Sequence, residues 1–362
     1  LRAVLDGRAH PPRPYGAPVA PAFARALTEG RARVALVLGA TPDLSGPLPP
    51  AHDLARRLRE RVPQLTVVDA APALAALRQV KTPYERAVLA RSVELSSRAM
   101  RAAMKAARPG AHEYTLRAAL EAEWTGGGAL GWGYPPIVAS GPNATILHYP
   151  RYSRRLEAGD LVLIDAAANV EYLTGDITRT FPVSARFTPE QRAIYELVLA
   201  AQEAGIRAAR PGVRPRDIHE ATVAVVKEGL LKLGLIADAG GDEYRRWYTH
   251  GSVHFIGMDV HDVGDYERPL EVGSAFVIEP GLYIREEALA GLPDTPEGRA
   301  AVEKVRPAVR RFKDIGVRIE DSFLITESGL QNLSGSVPRT VAEVEALRAG
   351  GGAPAEPGGQ SR

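Results

Sequence analysis

The hydrophobic pattern along the chain changes texture near residue 82. Before it, 33–39 (R-V-A-L-V-L-G) reads as a buried strand and 51–61 as an amphipathic helix with Leu54 and Leu58 on one face. A second short strand is expected at 65–69 and a short helix at 73–80, which makes a small α/β unit over residues 1–80. From Thr82 onward the signals strengthen. Thr82-Pro83-Tyr84-Glu85 is a capping box with proline at the first helical position, and the helix it opens is stopped by Pro109-Gly110. About a hundred residues later, Thr188-Pro189-Glu190-Gln191 opens another helix, and the same A-A-R-P-G stop, at 106–110 in the first case, recurs at 208–212. Each stop precedes a further helical segment, 113–124 and 217–233, and each half then ends in apolar strands that carry two carboxylates. That order predicts an internal duplication, with a site where the two halves meet.

The strands are specific enough to place. A strand at 161–165 (L-V-L-I-D) and a partner at 175–181 are expected to flank a turn near Asn169-Val170. In the second half, 276–279 and a single alternating strand over 316–326 are expected, with Val317 and Ile319 on one face and Arg318 and Glu320 on the other. The polar, helical stretch 285–315 reads as an excursion over the surface. The Gly/Pro-rich end reads as a disordered tail over 349–362, which leaves 81–348 as the larger domain.

Composition removes several classes of function. The 362 residues, 45% hydrophobic, can bury a sizeable core. Lysine and arginine total 45 against 43 acids, a net charge of +2, and no basic run with interleaved aromatics suggests nucleic acid. There is no cysteine, so any metal must be held by nitrogen and oxygen. No apolar stretch approaches the ~20 residues needed to cross a bilayer. With no signal-peptide pattern after Leu1, the expected setting is cytoplasmic.

Chemistry concentrates at 250–262, H-G-S-V-H-F-I-G-M-D-V-H-D, which holds three of the eight histidines. Histidine is the commonest metal ligand, and buried carboxylates are costly unless paired, hydrogen-bonded or metal-bound. Asp165 and Asp176 lie eleven residues apart across one expected hairpin, Glu279 ends an apolar strand and Glu320 lies within another. With His254 they make four carboxylates and one imidazole. That is too much negative charge for one divalent ion in a dry pocket and suits two ions sharing bridging carboxylates. Oxygen-rich ligation with a single histidine favours Mn²⁺ over Zn²⁺, Co²⁺ or Fe²⁺. No serine or lysine stands in a comparable setting as a nucleophile.

These residues carry a family resemblance. S-G-P-N-A-T-I-L-H-Y (140–149), L-V-L-I-D-A (161–166), G-D-I-T-R-T-F-P-V (175–183), H-G-S-V-H-F-I-G-M-D-V-H-D-V-G (250–264), E-P-G-L-Y (279–283) and G-V-R-I-E-D (316–321) follow one another as in the pita-bread metallopeptidases. The form of the histidine segment is similar to the Xaa-Pro branch of that family, and N-L-S-G-S-V (332–337) with E-V-E-A-L (343–347) resembles bacterial aminopeptidase P more than prolidase. The resemblance implies an α+β pita-bread fold with a pseudo-two-fold repeat, preceded by a short version of the creatinase-type N-terminal domain. It implies Asp165, Asp176, His254, Glu279 and Glu320 as metal ligands. Glu279 would also shuttle a proton. His148 and His261 would stabilise charge on the substrate carbonyl, and His250 and Tyr283 would line a proline pocket. Arg318 would order the groups around the metals. The implied substrates are peptides with proline in second position, cleaved before that proline, and the implied assembly is a homodimer. A dipeptidase limited to Xaa-Pro is the alternative within the family. A non-catalytic module that binds peptides or proteins is the alternative outside catalysis.

Overall fold

The computed structural model describes residues 21–39, 45–291 and 295–350. The chain divides into two compact units, Leu1–Ala75 and Ala76–Arg362. The boundary expected from the sequence, 80/81, falls five residues later.

In the smaller unit the described elements are α1 (Pro21–Thr28), β1 (Arg33–Leu36), α2 (Pro50–Arg61) and β2 (Thr66–Asp69). β1 and β2 pair in parallel, from Arg33 opposite Thr66 to Leu36 opposite Asp69. The face of α2 differs from the expected one. Leu54 is 40% exposed, and the covered stripe is Ala51, Ala55, Leu58 and Val62 instead. Those four recur at helical spacing, whereas Leu54 falls at the stripe's edge. A helix α3 (Ala71–Gln79) contains the division between the units.

The larger unit is built twice over on one plan. Its first half opens with α4 (Pro83–Ala106) and α5 (Glu113–Gly126), followed by the antiparallel sheet of β4 (Ile137–Ser140), β5 (Leu161–Asp165) and β8 (Thr178–Pro182). A smaller sheet is formed by β3 (Gly131–Trp132), before β4, with β6 (Ala168–Val170) and β7 (Leu173–Thr174), between β5 and β8. The second half opens with α6 (Pro189–Ala208) and α7 (Pro215–Lys232). It continues into the antiparallel sheet of β9 (Ala275–Ile278), β12 (Asp321–Thr326) and β13 (Gly329–Asn332). Both expected capping boxes form: Thr82 and Glu85 at α4, Thr188 and Gln191 at α6. Both A-A-R-P-G stops end on a glycine in the left-handed region, Gly110 at φ 90° and Gly212 at φ 86°. A side chain there would be strained, so the same residue closes both first helices for the same reason. β10 (Gly281–Ile284) and β11 (Ile315–Arg318) form a separate antiparallel pair, and α9 (Val341–Gly350) ends the described chain. The last two residues of α9, 349 and 350, fall in the stretch expected to be a disordered tail, and the rest of that stretch lies outside the described residues.

Three local expectations are corrected. Residues 316–326 are not one strand, because the chain leaves the β10 pairing after Arg318 and joins β9 from Asp321 and β13 from Phe323. Residues 315–325 are buried on both sides, so simple alternation could not reveal the switch between sheets. The hairpin turn is at Glu171-Tyr172, with φ of 51° and 66°, rather than at Asn169-Val170. Two left-handed central residues match the twist of paired strands, and the Asn169 side chain accepts from the Tyr172 backbone N–H at 2.9 Å. The 285–315 excursion carries α8 (Pro296–Phe312), which buries Val305, Val309 and Phe312 in the main core rather than lying wholly on the surface.

One arginine stitches the halves together. All five N–H donors of the fully buried Arg179 have partners. They reach the carbonyls of Thr178, Glu320, Val337 and Pro338 and, at 2.7 Å, the carboxylate of Asp321. Removing one partner of a buried pair strands the other charge, which costs about 3–5 kcal/mol. Arg179→Met should therefore lower stability by about that amount in urea titrations. Arg192→Met, which removes an exposed pair with Glu345, should cost under about 1 kcal/mol. Similar midpoints for the two variants would show that Arg179 does not hold the halves together.

Candidate metal centre

The site lies where the two halves meet. Asp165 ends β5, opposite Thr178 in β8, and Asp176 sits just before β8. Asp176 is fixed through its backbone: its N–H donates to Ser322 Oγ at 3.0 Å and its carbonyl accepts from the same hydroxyl at 2.7 Å. Glu279 follows β9 and Glu320 lies at the switch between β11 and β12. His254 runs beside β9, with its carbonyl accepting from Val277 at 2.9 Å. Its Nδ1 faces the Phe255 carbonyl at 3.1 Å, which turns Nε2 toward the acids. From Nε2 the carboxylate oxygens of Glu279, Asp176 and Glu320 lie at 3.5, 3.6 and 3.7 Å. Asp176, His254 and Glu320 each place one donor atom within 4.8 Å of the others.

The neighbouring groups sort these acids. Arg318 donates to Asp165 at 2.6 Å, to the Tyr283 hydroxyl at 2.7 Å and to Thr178 Oγ1 at 3.1 Å. Thr178 in turn donates to Glu320 Oε2 at 2.7 Å. Burial works against ionising Asp165, but Arg318 and the Tyr134 hydroxyl outweigh it and hold its pKa below the usual carboxylate value. Burial, then Glu320 and Asp165, push Asp176 well above that range. Burial and Glu320 do the same to Glu279, and burial and Asp165 push Glu320 up to about 8. His254 is lowered to about 4, by burial and then by His261. Its imidazole is therefore neutral near pH 7, with a lone pair free to bind a cation.

This donor set fits divalent cations. Glu320 Oε1 is buried without a hydrogen-bond partner among the described residues, and Arg318 alone faces four carboxylates. Unpaired acids at this density are stable only if protonated or matched by added positive charge. Burial raises the pKa of Asp176, Glu279 and Glu320, so metal binding there would compete with protons.

A cavity of about 340 Å³ opens onto these groups. Its lining includes His148, His250, His254, His261, Asp165, Asp176, Glu279 and Arg318. Glu320 and Tyr283 sit behind the wall: Glu320 through Thr178, and Tyr283 through His250 Nε2 at 2.8 Å and through Arg318. The His261 ring meets the His254 ring edge-on, with centroids 4.4 Å apart. Burial, then Arg318, lower His250 to about 3, so it too is neutral near pH 7. Every residue expected at the site from the sequence thus lies in or directly behind one cavity.

Two contributors were not read from the sequence. Tyr134 donates to Asp165 Oδ1 at 2.6 Å and also bonds Asp176, which spans the two aspartates. It lies in G-W-G-Y-P-P (131–136), where glycine and proline hide any periodicity. Glu113, fully buried at the start of α5, accepts from Ser140 N and Oγ at 2.8 Å, Asn143 Nδ2 at 3.1 Å and Arg154 N at 3.1 Å. It closes the ends of the loop that carries His148. A glutamate at a helix start reads as an ordinary first-turn acid, so only tertiary contacts reveal it.

Comparison with known proteins agrees with this geometry. The profile of metallopeptidase family M24 matches residues 87–327. The chain is 39% identical over 291 residues to the Xaa-Pro aminopeptidase of Escherichia coli K12, covering 78% of this chain and 62% of that protein. It is 38% identical to the Xaa-Pro aminopeptidase of Haemophilus influenzae, covering 78% and 63%. The chain therefore spans less than two thirds of the length of these curated relatives. Aminopeptidase PepP of Pseudomonas aeruginosa superposes with a TM-score of 0.73 at 40% identity, covering 89% of this chain and 72% of that one. A zinc-substituted E. coli aminopeptidase P in complex with product superposes with a TM-score of 0.71 at 37% identity, covering 84% and 68%. The larger unit has the α+β pita-bread fold of a family that implies divalent metal ions, and its carboxylate-rich centre is the candidate site for them. By its matched residues, its fold and its donor set, the chain belongs to metallopeptidase family M24.

Proposed function

We propose that this chain is an aminopeptidase that removes the N-terminal residue preceding proline, and that it works with two divalent ions, Mn²⁺ foremost. The observation that carries the reading is the convergence of Asp165, Asp176, His254, Glu279 and Glu320 beside a cavity walled by His148, His250 and His261. Its likeness to curated Xaa-Pro aminopeptidases supports the substrate class. The small unit before residue 81 then reads as a short N-terminal domain preceding the catalytic one in the sequence. A cytoplasmic homodimer is the setting proposed with it, and light scattering in solution tests the assembly.

Asp165, Asp176, His254, Glu279 and Glu320 would hold the ions, which supply Lewis acidity and water activation when bound. Glu279 faces the cavity and moves a proton from the attacking water to the leaving nitrogen. Its pKa is raised by burial and then by Glu320, the direction required of a group that takes up a proton before passing it on. His148 and His261 offer N–H donors to the carbonyl oxygen as charge develops there. His250 and Tyr283, joined at 2.8 Å, form a firm wall against which a proline ring packs without an amide hydrogen to satisfy.

Geometry also separates this reading from a dipeptidase. Recognising a free carboxylate just after proline calls for a nearby cation, commonly a bidentate arginine. Among the described residues Arg318 is the only arginine or lysine lining the cavity, and its bonds already go to Asp165, Tyr283 and Thr178. On α8, Arg310 pairs with Glu286 at 3.9 Å and Arg311 with Glu190 at 3.3 Å. Peptides can then extend past proline with no carboxylate to anchor. The gathered donor set argues against a non-catalytic binding module.

Three outcomes are expected. Protein reconstituted with excess Mn²⁺ should saturate at two ions per chain by elemental analysis, and Asp176→Ala should lose activity while keeping its circular-dichroism spectrum. Saturation at one ion would overturn the dinuclear assignment. His261→Ala should keep its metal and lose ~10²–10³ in kcat, the usual cost of one donor to developing charge. Metal loss in that variant, or near-parental kcat, would remove His261 from the role. Finally, Xaa-Pro-Xaa tripeptides should show higher kcat/KM than the matching Xaa-Pro dipeptides, and peptides with alanine for that proline should be poor substrates. Preference for the dipeptide would instead make the protein a prolidase.

A further inference from the structure

The segment that delivers His261 is gripped from behind by four consecutive residues that lie away from the cavity. Arg78 Nη2 pairs with Asp259 at 2.6 Å and with Asp262 Oδ1. The Gln79 side-chain oxygen accepts from the Asp265 backbone N–H at 2.9 Å. Val80 bridges Ser274, and the Lys81 N–H donates to the Gly273 carbonyl at 2.8 Å. The Lys81 side chain turns inward, donating to Asp262 Oδ2 at 3.0 Å and to the Arg78 carbonyl at 2.5 Å. Residues 78–81 thus splint 259–274.

The centre of that splint is costly. The side chains of Lys81 and Asp262 are 3% and 1% exposed, and two charges taken that far from water gain little net stability from each other. A glycine makes room for them: a Cβ at Gly257 would lie 2.3 Å from Asp262 Oδ2 and 2.8 Å from Lys81 Nζ. The pair touches no group at the metal centre, but Asp262 directly follows His261. The His261 ring packs edge-on against His254, so the backbone at 260–262 decides where its nitrogens point.

We propose that Lys81 and Arg78 are positioning residues for His261, and that their hold on Asp262 fixes the imidazole in its working place over the cavity. The proposal rests on the assignment of His261 as a donor to the reacting carbonyl. A misplacement of about 1 Å can cost ~10²-fold in rate. Loss of the buried amine should therefore lower turnover without loosening metal or substrate.

The test is a double-mutant cycle on the metal-loaded protein with an Xaa-Pro-Xaa peptide. Lys81→Met should lower kcat by ~10- to 100-fold while leaving KM and metal stoichiometry unchanged. Arg78→Gln, whose side chain is partly exposed, should act in the same direction with a smaller loss, and it tests the same grip if Lys81→Met does not fold. In a His261→Ala background neither change should lower kcat further. Equal losses in both backgrounds, or loss of metal, would overturn the proposal. A second readout does not need turnover. In ¹⁵N imidazole spectra of the metal-free protein, the His261 signals should be single in the parent and broadened or doubled in the Lys81 or Arg78 variant. Unchanged spectra would also overturn it. Absence of activity in the parent on any Xaa-Pro peptide would defeat the functional reading, while the spectra would still decide the positioning.

Discussion

Four carboxylates crowded at the wall of one cavity beside the Arg318 guanidinium are the constraint around which the larger unit is arranged. Like charges at such density repel strongly in a medium of low polarisability, so the fold must hold them and limit their ionisation at once. Arg318 compensates Asp165 directly and meets Glu320 through Thr178, while Tyr134 spans Asp165 and Asp176. Burial raises the proton affinity of Asp176, Glu279 and Glu320, and added cations would take over that neutralising part. This balance makes the centre receptive to metal and explains why a full hydrogen-bond framework surrounds it.

The duplication supplies that framework. Each half contributes a helix pair, an antiparallel sheet and two acids, and neither half contains a complete donor set. Polar groups at the seam set the register. Ser322 clamps the backbone of Asp176, Thr180 exchanges hydrogen bonds with the Arg318 backbone, and Arg179 collects carbonyls from both sides. Apolar packing alone would tolerate small slips between two sheets. Directional bonds with every donor used do not.

What could be read from the sequence was local. The capping boxes at Thr82 and Thr188 and the glycine stops at Gly110 and Gly212 were legible because a few adjacent residues determine them. The four acids stood out because acids are rare inside apolar strands. What escaped notice depends on partners far along the chain. Glu113, Tyr134 and Lys81 look ordinary in their own neighbourhoods and gain meaning only from residues some 30 to 180 positions away. The break between Arg318 and Asp321 was hidden because a strand covered on both faces shows no alternation. The covered stripe on α2 was misread where one leucine weighed more than the spacing of smaller residues.

The change of sheet at Ile319-Glu320 has a mechanical consequence. Glu320 belongs to neither ladder. It bridges Thr178 of the first half while the chain on either side of it is bound into the second. Any sliding of one half over the other would be felt at this residue, because its backbone is tied to both. The spacing between Glu320 and Asp176 is therefore a direct gauge of how the halves are seated. A metal ion that draws these two carboxylates together would fasten the two repeats to each other as well as to itself.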